Sequence, residues 1–398
     1  MNAPTTRLGR AWSPERYRLE PGLSARIPSP ALLVYLDRFR ANVERMAELL
    51  GGDVARWRPH VKTTKSPRLW AELLERGVTA FKCATALEAE ELLVLASSTG
   101  RPIDLLVAYP HHGPTVERIA RLAREHGSSR VSVLVESEGD VARWPAELGL
   151  FVDLNCGMDR TGVQAEGRGR VFAVAAAAGE RLRGLHWYDG QHVAPGERRV
   201  VDAHAGYREL ADLVVALERR GVRVHEIVTS GTPALGAALS FEGFEELEGV
   251  RHRVSPGTLV LHDVRSEELD PELGFEPAAV VFTRVVSAPR RGRVTCDAGS
   301  KAVSAEAGSP VASVLGWPRL VPATPSEEHL PLDGSLGSAD ELPARGSELL
   351  LVPRHVCTTV NLYDEALLVE GGRVVGRMRV SARGHDLAGL EWIEENER

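Results

Sequence analysis

Lysine is nearly absent from this sequence. Of the 48 basic residues only Lys62, Lys65, Lys82 and Lys301 are lysines, which leaves 48 − 4 = 44 arginines. A guanidinium keeps its proton and forms no imine, so a lysine that persists among so many arginines either marks a needed primary amine or is chance. Cysteine is also scarce. Cys83, Cys156, Cys296 and Cys357 are dispersed without a CxxC pair. That pattern excludes a disulfide framework and leaves thiols, one of which could ligate a metal. Long apolar runs are missing too: the longest stretches, such as 171–179, fall short of the roughly 20 residues a bilayer requires. The N-terminus, MNAPTTRLGRAWSPERYRLE, has acidic residues and no apolar h-region, so no secretory signal is expected and the default address is the cytoplasm. There is no basic excess either: the formal charge is −7, which argues against nucleic acid as a partner. With 398 residues, 43% of them hydrophobic, the chain has material for two domains or for one large α/β domain with an appendage.

From about residue 30, short β-type runs alternate with helical patterns, the signature of repeated βα units and a parallel sheet. Eight strands are expected, at 31–36, 57–62, 80–83, 104–108, 131–135, 150–154, 184–187 and 226–229. Helices are expected at 37–50, 87–95 and 197–220, the last with Tyr207, Leu210, Leu213, Val214 and Leu217 at helical spacing. Eight units over about 230 residues fit a (β/α)8 TIM-type barrel. After about residue 260, β-rich segments at 278–287, 293–297, 348–352, 366–369 and 373–380 are separated by Gly and Pro without long helices. They predict an antiparallel β domain. The stretch 322–346, rich in Pro, Gly, Ser and acids, is expected to be a long loop. The expected division is a barrel over 28–265, a β-rich domain over 266–398, and an N-terminal segment, 1–27, packing on the β domain.

Catalytic groups of a parallel barrel sit at the C-terminal ends of its strands. The second strand ends in Arg58-Pro59-His60-Val61-Lys62-Thr63-Thr64-Lys65, where strand alternation puts His60 and Lys62 on one face. Lys62 is then either a solvated loop cation or a desolvated amine able to attack an aldehyde. The sixth strand ends in a glycine turn with Arg160, Thr161 and Gly162, suited to an anion. The seventh ends in His186-Trp187-Tyr188-Asp189, and the eighth in Ser230-Gly231-Thr232-Pro233, a small-residue turn of the kind that takes phosphate. Each alone is an ordinary βα connection. Beside an inward lysine, together they suggest a phosphorylated aldehyde cofactor, pyridoxal 5′-phosphate. In the β-rich part, His355 and Cys357 are expected on one face of a strand, where imidazole and thiolate could converge on one borderline-soft cation, zinc above all. Glu327, Glu328 and His329 could add ligands or form a solvated charged run, and the Asp297–Lys301 segment reads equally as a tight turn.

Six motifs in order carry a resemblance: RPHVKTTK (58–65), SGTP (230–233), SPGT (255–258), DAGSKA (297–302), SEEH (326–329) and HVCTTVN (355–361). From about residue 28 onward the chain resembles the metal-activated pyridoxal enzymes that include D-threonine aldolase, eukaryotic-type D-serine dehydratase and D-threo-3-hydroxyaspartate dehydratase, built on an alanine-racemase-like barrel. The resemblance implies that Lys62 forms the imine with the cofactor, with His60 beside it. It also implies that Tyr188 faces the pyridine nitrogen, that Arg160 and Thr161 lie at the cofactor, and that Ser230, Gly231 and Thr232 hold its phosphate. His355 and Cys357 would bind a divalent metal, zinc ahead of manganese or magnesium. Three departures stand out: Thr64 where the family often has a second histidine, Ser230 at a position usually glycine, and Thr358 in place of a common proline.

Aldolases of this family carry His-x-Asp at the metal pair and dehydratases His-x-Cys, so the resemblance favours a dehydratase acting on a small β-hydroxy-D-amino acid. Retro-aldol cleavage is the alternative, and a metal-independent racemase or cofactor-binding protein the next. A homodimer is implied as well.

Overall fold

A computed structural model describes residues 12–385 apart from 166, 195 and 335–341. The chain divides into two units, one of 50–62, 69–257 and 382–398, the other of 1–49, 63–68 and 258–381.

Apart from Arg251–Val254, the main strands of the first unit are short, largely apolar runs buried on both faces, as a parallel sheet flanked by helices demands. They run parallel in the order Ala80–Cys83, Asp104–Val107, Arg130–Val135, Gly149–Asn155, Leu182–Trp187, Glu226–Thr229 and Arg251–Val254. The two-residue strand Val163–Gln164 pairs beside Gly149–Asn155. Trp57 makes a parallel bridge to Val254 and His60 another to Lys82, so 57–60 stands between the two edges where the remaining strand of a (β/α)8 barrel belongs. Gly257, in the SPGT motif, permits this: a Cβ there would lie 2.2 Å from the His60 carbonyl oxygen. Leu106, Leu134, Phe151 and Val228 pack together inside the barrel. At the strand starts, fully buried Arg58 is gripped by both carboxylate oxygens of Glu226 at 2.8 and 3.0 Å and by Asp104 at 3.2 Å.

Two strand expectations need correction, and one strand is additional. Ala31–Tyr35 is a strand of the other unit, antiparallel to Ala279–Arg290 and parallel to Glu365–Glu370. Its run is buried almost throughout, so nothing local distinguishes it from a barrel strand. The 57–62 segment contributes only two single bridges, and Val61–Thr63 is a turn of 3-10 helix. Arg251–Val254, of sequence RHRV and mostly not buried, was not expected as a strand at all.

The second unit is a nine-stranded sheet, antiparallel apart from the pairing of Ala31–Tyr35 with Glu365–Glu370. Its long strand Ala279–Arg290 also pairs with Arg293–Cys296 and Glu348–Pro353. The expected 322–346 loop contains a strand, Leu330–Gly334, paired with Arg293–Cys296, while 335–341 lie outside the described residues. Residues of the N-terminal segment join this unit's core: Tyr17 and Ile27 pack with Leu33, Tyr35, Val280 and Phe282, and the Tyr17 hydroxyl donates to the Pro277 carbonyl at 2.9 Å. Among the described residues, no helix is long and apolar enough to cross a membrane.

Candidate active site

In the barrel unit, three cations surround one aromatic ring. The Lys62 Nζ lies 5.7 Å from the Tyr188 ring centroid, Lys82 Nζ 5.5 Å and Arg160 Cζ 4.8 Å. The strand-alternation argument for His60 and Lys62 does not apply, because the chain turns at 61–63. Instead the His60 Nδ1 accepts the Lys62 backbone N–H at 3.4 Å. Tyr188 follows directly on Leu182–Trp187, and Arg160 and Thr161 follow Gly149–Asn155, so neighbouring strand ends bring them together. Asp153, Asn155, Cys156, Arg160, Thr161 and Tyr188 line one narrow cleft. Two larger cavities of this unit, about 570 and 780 Å³, contain none of the sequence-predicted residues. Convergence of cations on Tyr188, not cavity size, marks the site.

The loop after Tyr188 is pinned from behind. Asp189, fully buried, accepts a 2.5 Å hydrogen bond from the Tyr207 hydroxyl and another from the Gly231 backbone N–H. Burial raises its carboxyl above the ordinary aspartate range despite these donors. Ser230 and Thr232 each have a buried hydroxyl oxygen with no partner in the chain. A buried hydroxyl left unsatisfied is costly, so this pair has the character of a cradle for an outside acceptor group.

Ser230 also has φ +55°, in the left-handed region that costs a non-glycine residue roughly 1–2 kcal/mol, which gives a physical reason for glycine at that position. Ser230→Gly is therefore expected to stabilise the cofactor-free protein by about 1 kcal/mol in urea unfolding. A drop in stability would show that the serine hydroxyl is satisfied in solution.

His355 and Cys357 lie in the other unit, and not on a strand. Glu348–Pro353 ends before them, His355 is the N-cap of the helix Val356–Val360, and Cys357 is in its first turn. Asp263 fixes that start by accepting the Val356 backbone N–H at 3.0 Å. The two side chains nevertheless meet by hydrogen bond. Burial pulls the His355 imidazole down, but Cys357 and the hydrogen-bonded Glu306 outweigh it and raise it to about 9. Burial pushes the Cys357 thiol up, but His355 outweighs it and holds the thiol below its ordinary value. The Thr63 and Thr258 hydroxyls lie 3.1 and 3.3 Å from the sulfur. Among the described residues no third His, Cys, Asp or Glu completes a cluster with them.

The SEEH and DAGSKA motifs meet each other. Lys301 Nζ pairs with Glu327 at 2.8 Å and Glu328 at 3.2 Å in an exposed turn, and a Cβ on Gly299 would lie 2.3 Å from the Glu327 carbonyl oxygen. Asp297 accepts from the hydroxyls of Ser29 at 2.5 Å and Thr283 at 2.6 Å, which makes it part of the sheet's framework. Sequence reasoning missed the partners of Lys82. Its amine sits 3.4 Å from His186 Nε2, and His186 Nδ1 sits 2.6 Å from Asp153. The scarcity of lysine was the one signal that pointed there.

Two family profiles match this chain: "Alanine racemase, N-terminal domain" over residues 34–263 and "Putative serine dehydratase domain" over residues 278–369. The chain belongs to the alanine racemase N-terminal domain family. Within it the protein is a lyase of the D-threonine aldolase and D-serine dehydratase type. D-threonine aldolase of Arthrobacter sp. is 29% identical over 375 residues, 90% of this chain and 94% of that protein. The 3-hydroxy-D-aspartate aldolase of Paracoccus denitrificans is 29% identical over 387 residues, 92% of this chain and 94% of that protein. The crystal structure of D-threonine aldolase from Filomicrobium marinum superposes with a TM-score of 0.80 at 27% identity, covering 92% of this chain and 98% of that one. The D-threo-3-hydroxyaspartate dehydratase of Delftia sp. is 25% identical over 380 residues, 87% of this chain and 95% of that protein. A D-threo-3-hydroxyaspartate dehydratase with one cysteine replaced by alanine, solved in the metal-free form, superposes with a TM-score of 0.72 at 20% identity, covering 89% of this chain and 98% of that one.

Proposed function

We infer that this protein is a pyridoxal-phosphate- and divalent-metal-dependent dehydratase of β-hydroxy-D-amino acids, giving a 2-oxo acid and ammonia. The observation that carries the choice of dehydration is Cys357 beside His355, a thiol where the aldolases of the family carry a carboxylate. The residues present fit both groups. Ser230 Oγ and Thr232 Oγ1, buried without partners, would take phosphate oxygens, and Arg160 and Tyr188 would flank the ring. His60 supports the Lys62 turn through its Nδ1, and Lys62 would hold the cofactor through its amine. Pyridoxal phosphate, when bound, supplies an electron sink for the pair left at Cα. Lys62 would then take the α-proton of the substrate onto Nζ.

The imidazole of His355 and the thiolate of Cys357 are a donor set for a borderline-soft cation, which favours zinc over manganese or magnesium. Such a cation supplies a Lewis acid for the β-hydroxyl. The reading also takes the protein as a cytoplasmic homodimer, which size-exclusion chromatography with light scattering tests.

Incubation with D-serine, D-threonine and threo-3-hydroxy-D-aspartate, with product identification, decides the reaction. A 2-oxo acid with ammonia is expected. Glycine with an aldehyde would establish the retro-aldol reading, which the slightly higher identity to the two aldolases favours.

A further inference from the structure

Lys82, His186 and Asp153 form a connected chain of polar groups inside the barrel, and the reaction proposed above uses none of them. Asp153 and His186 face each other across the ladder between Gly149–Asn155 and Leu182–Trp187, where they are register partners. Lys82 reaches them from Ala80–Cys83, and all three are buried. The second carboxylate oxygen of Asp153 is buried with no partner. The chain has a direction. A carboxylate only accepts, so the proton between Asp153 and His186 belongs to Nδ1. His186 Nε2 is then the acceptor, and Lys82 must donate. Its remaining side faces the ring of Tyr188, the residue that follows the strand end Leu182–Trp187, with Nζ 5.5 Å from the ring centroid.

Burying three ionisable groups together is costly, and apolar residues of similar size commonly serve stability as well or better. Structural need alone is thus a weak reason for the trio. The charged and titratable groups acting on Lys82 besides its two relay partners are Lys62, Arg58 and Asp189, and Arg160 acts on His186. Burial above all, then Lys62, holds the Lys82 amine well below the ordinary lysine range, and burial followed by Lys82 holds the imidazole down.

We propose that Lys82 is a positioning residue of the lyase reaction, the end of a buried Asp153–His186–Lys82 relay that holds one exchangeable proton against the Tyr188 ring. The inference rests on reading the barrel as the cofactor-dependent site, so its test has an arm that needs no cofactor. With only four lysines, protein labelled with 13C at lysine Cε gives four side-chain signals. In the cofactor-free chain one of them, identified by its loss in Lys82→Met, is expected to titrate well below an exposed lysine, because the amine is buried. Asp153→Asn, which removes the balancing negative charge, is expected to move it lower still. A Lys82 signal that titrates with an exposed lysine, or that ignores Asp153→Asn, overturns the relay.

The second arm uses protein loaded with pyridoxal phosphate and zinc. Lys82→Met is expected to lower kcat about tenfold or more with KM nearly unchanged, and to erase one limb of the pH–rate profile. Lys82→Arg, permanently charged, is expected not to restore it. If the titration is as expected but the limb survives in Lys82→Met, the positioning role fails. If the protein takes up no pyridoxal phosphate, the functional reading and with it that role fall, while the relay is judged on the first arm.

Discussion

Lys62→Ala is expected to abolish both the near-visible absorbance of added pyridoxal phosphate and turnover of β-hydroxy-D-amino acids, the latter by about 10⁴-fold or more. The size of the effect follows from the two tasks assigned to one amine, holding the cofactor and moving the α-proton, which no other group among the described residues is placed to share. Lys82 is the nearest rival, facing the same ring at a similar distance, but its amine is committed to His186 and wholly buried, whereas Lys62 is partly open. Lys65 is three residues on and Lys301 is paired with Glu327 and Glu328. Lys62→Arg keeps the charge but not a nucleophilic amine, and should be as inactive as the alanine variant. Absorbance spectra and peptide mapping after borohydride reduction check this directly. If the Lys62→Ala variant stays yellow and carries its label on Lys82, the two lysines have exchanged the roles assigned to them.

Much of the barrel was legible because its strands are short apolar runs with glycine turns after them, and those turns are where Arg160, Tyr188 and Ser230 were found. Partner choice was not legible. Ala31–Tyr35 satisfies the burial pattern of a parallel barrel strand, yet its neighbours lie more than 240 residues away in the other sheet. The reverse error occurred at Arg251–Val254, a strand whose Arg253 and His252 serve hydrogen bonds to Glu226, the Ala55 carbonyl and Thr229 rather than an apolar core. At His355–Asn361 the β-branched run Val-Cys-Thr-Thr-Val reads as a strand by propensity alone. Tertiary context overrides it: the Asp263 carboxylate takes the Val356 N–H, and the Thr359 hydroxyl donates to the His355 carbonyl at 2.9 Å, which suits a helical turn. The His355 and Cys357 side chains do meet, but at a helix start and not across the face of a strand. The Lys82 relay was invisible for a simpler reason, since its three members come from strands about 70 and 30 residues apart and only closure of the barrel joins them.

Removal of the divalent cation is expected to lower turnover by about 10³-fold, equivalent to about 4 kcal/mol of transition-state stabilisation, with restoration by added zinc. Without a Lewis acid the β-hydroxyl must leave as hydroxide from an unpolarised carbon–oxygen bond, and nothing else described near His355 and Cys357 replaces that charge. Cys357→Ala should match the chelated enzyme and gain little from zinc, because His355 alone with Glu306 is a weak donor set. Circular dichroism and cofactor absorbance should stay intact, since the helix start is held by Asp263 and Thr359 and not by the thiol. The more telling variant is Cys357→Asp. A carboxylate restores an anionic ligand but a harder one, and it removes the polarisable sulfur that the Thr63 and Thr258 hydroxyls surround. If the ligand tips the balance between expelling the hydroxyl and deprotonating it, this variant should recover metal-dependent turnover while its products shift from 2-oxo acid and ammonia toward glycine and an aldehyde. An unchanged product ratio would mean that the reaction type is set elsewhere in the site and that Cys357 governs only how tightly the cation is held.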